Sequence, residues 1–208
     1  MNFGEMQSGV RTRLDESTAV FWSDQDIKDA LNEGLFELSD ATEWYERMAT
    51  IPLWSTRSYL DLRCILPDTF LGPKRMINNQ TGKWLVPSSV KTQDHRAAQW
   101  EKTSAEPEEF FTRGLWWMGF YPKPPNDLGS ARMYFSALPP LMDDDTDEPE
   151  LPEEYHMGII CYAVYDLLAQ DAETEKALMW WAEYVQYETK LRDYVETRIT
   201  RDKVGRLG

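Results

Sequence analysis

The chain has 208 residues, with 36 Asp and Glu against 22 Lys and Arg, a net charge of −14 and a pI near 4.6. That balance excludes a protein that grips nucleic acid through phosphate contacts, and uncharged stretches of only about ten residues are too short to span a bilayer as a helix. No basic start runs into an apolar stretch, and Cys64 and Cys161 are the only cysteines, so a soluble protein of a reducing compartment is expected, without a disulfide framework.

Met6, Val10 and Leu14 suit a short N-terminal helix, broken at Asp15–Thr18. A stronger start follows at Trp22-Ser23-Asp24, where Ser23 is a good N-cap and Asp26 stands three residues later in a capping-box pattern. Trp22 could staple onto Ile27 across that cap. Ile27, Ala30, Leu31, Leu35, Leu38, Ala41, Trp44, Tyr45 and Met48 then keep helical spacing, which predicts a helix running to Pro52 and weakened in the middle by Gly34.

Between Ile51 and Pro140 the period changes to two. Leu60, Leu62, Cys64 and Leu66 alternate with Asp61, Arg63 and Ile65, which predicts a half-buried strand. Shorter strands are expected at Arg75–Ile77, Trp84–Val86, Phe110–Thr112, Leu115–Tyr121 and Arg132–Ala137, separated by Gly-Pro, Thr-Gly and Pro-rich turn chemistry. After the loop Asp143–Glu150, Pro152, Glu153 and Glu154 prepare a helix start. Tyr155 to Ala169 is apolar almost all round and predicts a buried helix. A last helix from Glu173 to Thr200 carries the stripe Ala177, Leu178, Trp181, Tyr184, Val185, Leu191, Val195 and Ile199. The order helix, helix, strands, helix, helix predicts an α+β fold: a helical bundle formed by N- and C-terminal helices (residues 1–52 and 143–200), an inserted antiparallel β-domain (53–142) and a flexible tail (201–208).

The charge is concentrated. Asp143 to Glu188 holds 14 acidic residues against Lys176 alone, whereas Thr189 to Gly208 holds 6 basic and 3 acidic ones. The acidic candidates are Asp143, Asp144, Asp145, Asp147, Glu148 and Glu150; the basic candidates are Arg192, Arg198, Arg201, Lys203 and Arg206. The segment reads either as a solvated face with a basic end or as a polarised subunit whose two ends meet different partners.

Little points to catalysis. Asp94-His95 lacks a partnering nucleophile or second histidine, and His156 suits a helix start. Neither cysteine has zinc-ligand spacing, and no glycine loop cradles phosphate, so no catalytic residue, metal or cofactor is expected. The run Trp116-Trp117-Met118-Gly119-Phe120-Tyr121 reads as a core strand, or alternatively as a stacking platform in which Trp116, Trp117 and Tyr121 contact a glycan or receptor.

Several segments, in order along the chain, resemble the head-to-tail adaptor (head completion) proteins of tailed bacteriophages, the group that includes the tail tubular protein A type. They are Trp22-Ser23-Asp24 with Ala30-Leu31-Asn32-Glu33-Gly34-Leu35, Leu66-Pro67-Asp68, Tyr121-Pro122-Lys123-Pro124, Leu151-Pro152-Glu153-Glu154-Tyr155-His156, Tyr162-Ala163-Val164-Tyr165 and Asp171-Ala172-Glu173 before Lys176-Ala177. Residues 78–109 match no part of the pattern. The resemblance implies a structural virion protein made in the host cytoplasm: a ring of twelve subunits in the neck that docks on the portal protein, joins it to a tail tube or nozzle protein and conducts DNA without reading it during ejection. On that reading the basic tail reaches the portal, the acidic segment faces the portal or the DNA channel, and no membrane is involved.

Overall fold

The computed structural model describes residues 1–16, 21–57, 59–96 and 99–204, with side chains as far as 197. In chain order its elements are α1 (Phe3–Arg13), α2 (Asp24–Thr42), β1 (Glu46–Leu53), β2 (Tyr59–Asp61), β3 (Phe70–Asn78), β4 (Trp84–Pro87), α3 (Val90–Arg96), β5 (Glu109–Arg113), β6 (Trp117–Tyr121), β7 (Gly129–Ala137), α4 (His156–Gln170) and α5 (Thr174–Val204). The fold is mixed α+β. Two compact units are present: residues 1–45 together with 138–208, and residues 46–137.

In the helical unit, α1, α2, α4 and α5 share one apolar core that includes Phe3, Met6, Ile27, Leu31, Leu35, Leu38, Ile159, Val164, Tyr184 and Leu191. Both N-terminal helices begin in capping boxes. Asn2 and Glu5 exchange side-chain and backbone hydrogen bonds at α1 (2.8 and 2.9 Å), and Ser23 and Asp26 do the same at α2 (3.1 and 2.8 Å), as the sequence predicts. Each box satisfies backbone N–H groups that the first helical turn leaves without partners.

Helix α2 stops at Thr42, six residues before Met48. Glu43 adopts a left-handed conformation (φ 51°), and the Glu43 and Trp44 amides turn back onto the carbonyls of Asp40 and Ser39. Glu46–Leu53 then pairs along its whole length with β7. The helical spacing of Trp44, Tyr45 and Met48 was coincidental, since Met48 ends on the exposed side of a strand.

On α5 the inward seam is Ala177, Tyr184 and Leu191, with Trp180, Tyr187 and Tyr194 half-buried between them. This seam advances by alternating steps of three and four residues. Of the expected stripe, Leu178, Trp181 and Val185 instead face outward, 58%, 37% and 38% exposed. So many residues of this helix are apolar that two faces fit helical spacing, and only packing against α4 selects one.

The second unit is a seven-stranded sheet in the order β1-β7-β3-β4-β5-β6-β2. It is not wholly antiparallel, because β4 and β5 pair in parallel across a connection that contains α3. Alternation on β7 buries Ala131, Met133, Phe135 and Ala137 and sends Arg132 and Tyr134 to the other face. The predicted strand through Leu60–Leu66 ends at Asp61, whose carboxylate accepts the Arg63 amide (3.1 Å) and caps a 3₁₀ turn, Leu62–Cys64. Leu62 and Leu66, four residues apart, point into the core from that turn. The segment 78–109, which matches no part of the family pattern, supplies β4, predicted as a strand at Trp84–Val86, together with α3 and a 3₁₀ turn at Trp100–Lys102. Gln93 of α3 is fully buried and donates to Ser88 Oγ (2.9 Å) and Glu109 Oε2 (2.7 Å).

Candidate interaction surfaces

The acidic loop is a built feature of the helical unit. The Asp147 and Asp145 carbonyls accept the Phe3 and Gly4 amides (2.8 and 3.0 Å), so the loop satisfies the first turn of α1 from outside. The Asp147 carboxylate accepts the Asp143 and Asp144 amides (2.9 and 3.0 Å), and these two bonds hold it below the usual carboxylate range. Asp145 accepts from Gln7 (3.0 Å), and Lys28 donates to the Asp143 carbonyl (3.0 Å). Asn32 closes a two-way bridge to the backbone of Met142 (2.9 Å each way). The carboxylates of Asp143, Asp144, Asp145, Glu148 and Glu150 remain exposed on this fixed backbone. Their charge also lies near the positive end of the α1 dipole, where it is stabilising.

The basic candidates divide. Arg192 donates to Glu188 one turn earlier (2.5 Å) and to the Ala41 carbonyl (3.2 Å) at the C-terminal end of α2, a favoured place for a cation. Helix α5 carries the backbone on to Val204, four residues into the segment read from sequence as a tail. The side chains of Arg198, Arg201 and Lys203, and all of Arg206, lie outside the described residues.

The three aromatic candidates do not form one platform. Trp116 is half-buried against the sheet core, its ring 5.7 Å from Phe70. Tyr121 packs edge-on to Trp100 (6.4 Å) and lies beneath the Arg96 guanidinium (5.5 Å). Trp117 is 43% exposed. Asp94 accepts the Trp100 indole N–H (2.9 Å), while His95 is exposed. His156 is buried with Nε2 2.8 Å from the Leu151 carbonyl and Nδ1 3.2 Å from the Met1 amino group. A carbonyl only accepts, so Nε2–H donates to it, and Nδ1 accepts a hydrogen bond donated by the ammonium. His156 thus sits as a buried, hydrogen-bonded group of the helical unit. Among the described residues no three His, Cys, Asp or Glu side chains converge to hold a metal ion, and no helix is long and apolar enough to cross a membrane.

Two surfaces escaped the sequence reading. On α2, Asp26, Asp29, Glu33, Glu37 and Asp40 follow one another by three or four residues and form a single exposed acidic row. The first three, with Asp166 and Tyr162 of α4, line a groove floored by Ala30 and Leu167. Burial, then the neighbouring Glu33, Asp40 and Glu188, raise the Glu37 carboxyl above its ordinary range. Burial and the carboxylates around it push the Tyr162 hydroxyl up to about 12. Tyr165 (4.9 Å) and Tyr162 (6.5 Å) continue onto Trp181 as an aromatic cluster. In the sheet unit, the Arg75 guanidinium lies over Tyr134 (4.5 Å) and Trp84 (5.7 Å) and is held by Glu46 (2.8 Å). The acidic spacing on α2 was visible in the sequence; the stack was not, since it joins three strands through the sheet's register.

The sequence matches the family described as SU10 adaptor protein over residues 1–206. The chain belongs to the SU10 adaptor protein family. Its members are phage structural adaptors, so this SU10-type adaptor is a virion component that interacts with other phage proteins. No curated protein matches the chain.

Proposed function

We propose that this SU10-family adaptor forms the ring that joins head to tail: it docks beneath the portal protein, carries the tail tube or nozzle protein on its other side and encloses part of the DNA channel. The observation that carries this reading is the family match over 1–206, nearly the whole chain. In this arrangement the N- and C-terminal helices act as one bundle, with the sheet unit as an insertion presented to the tail-side partner. The charge distribution supports the division. Residues 46–137 contain 12 basic and 9 acidic residues, a net of +3, whereas the rest of the chain contains 10 and 27, a net of −17. A channel wall with that excess of carboxylates repels phosphate and lets DNA slide without sticking. The basic end of α5, beyond the internally engaged Arg192, is the portal-contacting segment. The ring is proposed to hold twelve copies.

The test is the native mass of the chain mixed with the portal protein of the same phage. A complex with one adaptor per portal subunit is expected, together with loss of that complex on truncation after Thr197. Separate components at both low and moderate salt would remove the portal assignment.

A further inference from the structure

We propose that neighbouring copies in the ring join through two complementary faces of this chain: the sheet face centred on Arg75, Trp84 and Tyr134 in one copy, and the acidic row of α2 beside Trp181 in the next. The inference rests on the ring reading above and adds to it the surfaces that close the ring.

The sheet face has the composition of an interface centre. Trp, Tyr, Arg and Met are enriched where partners bury surface. Here Met48 is 58%, Trp84 41% and Val86 59% exposed, on the same side of the sheet as Tyr134 and Arg132. Arg75 is already ordered between two rings and Glu46, so docking a partner there costs little additional side-chain entropy. Its charged groups are Arg75, paired with Glu46, and Arg132, which carries the unpaired positive charge of the face.

The helical face has the same plan with the charge reversed. Leu178 and Trp181 form an exposed apolar centre, joined through Tyr162 to the row Asp26, Asp29, Glu33 and Glu37. Apolar surface on both sides supplies burial, and opposite rims fix orientation and exclude the like-to-like pairing of two acidic faces. The two faces are different, so the contact is head-to-tail and continues from copy to copy instead of stopping at a two-fold dimer; its closure into a ring is the ring reading above.

Sedimentation of the full chain at about 0.1 M salt tests this, since screening beyond about 10 Å leaves local contacts to outweigh the net charge. One variant carries Arg75→Glu with Arg132→Glu; a second carries Glu33→Lys with Glu37→Lys. Wild type is expected to associate beyond dimers. Each variant alone should lose at least about tenfold in self-association, because one face of every contact is reversed. Mixed in equal amounts, the variants should give 1:1 pairs of wild-type strength that grow no further, since each supplies one intact face. Arg132→Glu alone, at an exposed position, should weaken association in the same direction without disturbing the Arg75 stack. A monomeric wild type, variants that associate as wild type does, or a mixture that stays monomeric would overturn the proposal. The portal complex separates the two ideas: if it forms with one adaptor per portal subunit while the variants assemble normally, the ring stands and its seam lies elsewhere.

Discussion

Gly34 of α2 lies so close to the backbone of α4 that a Cβ at this position would stand 2.9 Å from the Ile159 carbonyl oxygen and 3.2 Å from Tyr162 Cβ. In sequence this glycine looks like a weak point, about 1 kcal/mol worse than alanine in a helix interior. In the fold it sets the distance between two helices whose shared groove carries the acidic row.

Gly34→Ala therefore pits a helix-propensity gain against an overpacking cost of about 1–3 kcal/mol. The obstructing atom is backbone and cannot rotate away, so the cost wins. Thermal unfolding should show a lower Tm. An unchanged or higher Tm would mean that α2 and α4 stand farther apart than described. Gly158→Ala, whose Cβ would meet Tyr187 Cβ at 2.9 Å, should behave alike at the α4–α5 contact.

The two thiols should differ in reactivity. Cys64 is exposed, whereas Cys161 is buried in the helical core and its thiol is pushed up to about 11, chiefly by burial. Alkylation depends on the thiolate. A thiol reagent at pH 8 should modify one cysteine per native chain, at residue 64 by peptide mapping, and reach the second only in denaturant. Equal rates for both would show that the α4 core opens readily.

Glu37 gives a pH signature. Its raised pKa, from burial first and then from Glu33, Asp40 and Glu188, means the folded state holds this proton more tightly than the unfolded chain. The resulting penalty is absent below the ordinary glutamate range and complete once pH exceeds the raised value. Glu37→Gln should raise Tm at pH 7 by about 1–3 °C and have no effect near pH 4. A lower Tm at pH 7 would mean that Glu37 has an attractive partner.

Glu109 behaves in the opposite sense. Burial pushes its carboxyl up, but hydrogen bonds from Arg96, Gln93 and Ser88 together hold it below the usual range. Its contribution is complete above the ordinary glutamate pKa and disappears as pH falls through the lowered value. Glu109→Ala leaves the Arg96 guanidinium and the buried Gln93 amide without this acceptor and should cost about 2–3 kcal/mol at pH 7 in urea unfolding. The difference from wild type should shrink below pH 4.

Much was legible in the sequence because it is written within one or two helical turns or along one strand. The Ser23–Asp26 cap, the buried helix α4 and the strands β4, β5 and β7 all follow from local spacing and turn chemistry. Local spacing misled where a residue's fate depended on a distant partner. Met48 fits helical periodicity, yet its segment is a strand because β7 is available to pair with it. Leu178, Trp181 and Val185 fit a buried stripe as well as Ala177, Tyr184 and Leu191 do, and α4 takes the second set. The β4–β5 pairing is parallel because the chain crosses over through α3, a matter of topology that alternation cannot express.

The interaction surfaces divide along the same line. By itself the sequence determined the excess of carboxylates, its concentration in 143–188 and the basic end that follows, since charge is a property of composition. Only the tertiary structure decided that Asp145 and Asp147 hold the start of α1, that Arg192 turns inward to α2, and that Arg75, Trp84 and Tyr134 meet on one face. These side chains are brought within reach by strand register and helix packing, and the burial of two apolar cores sets both.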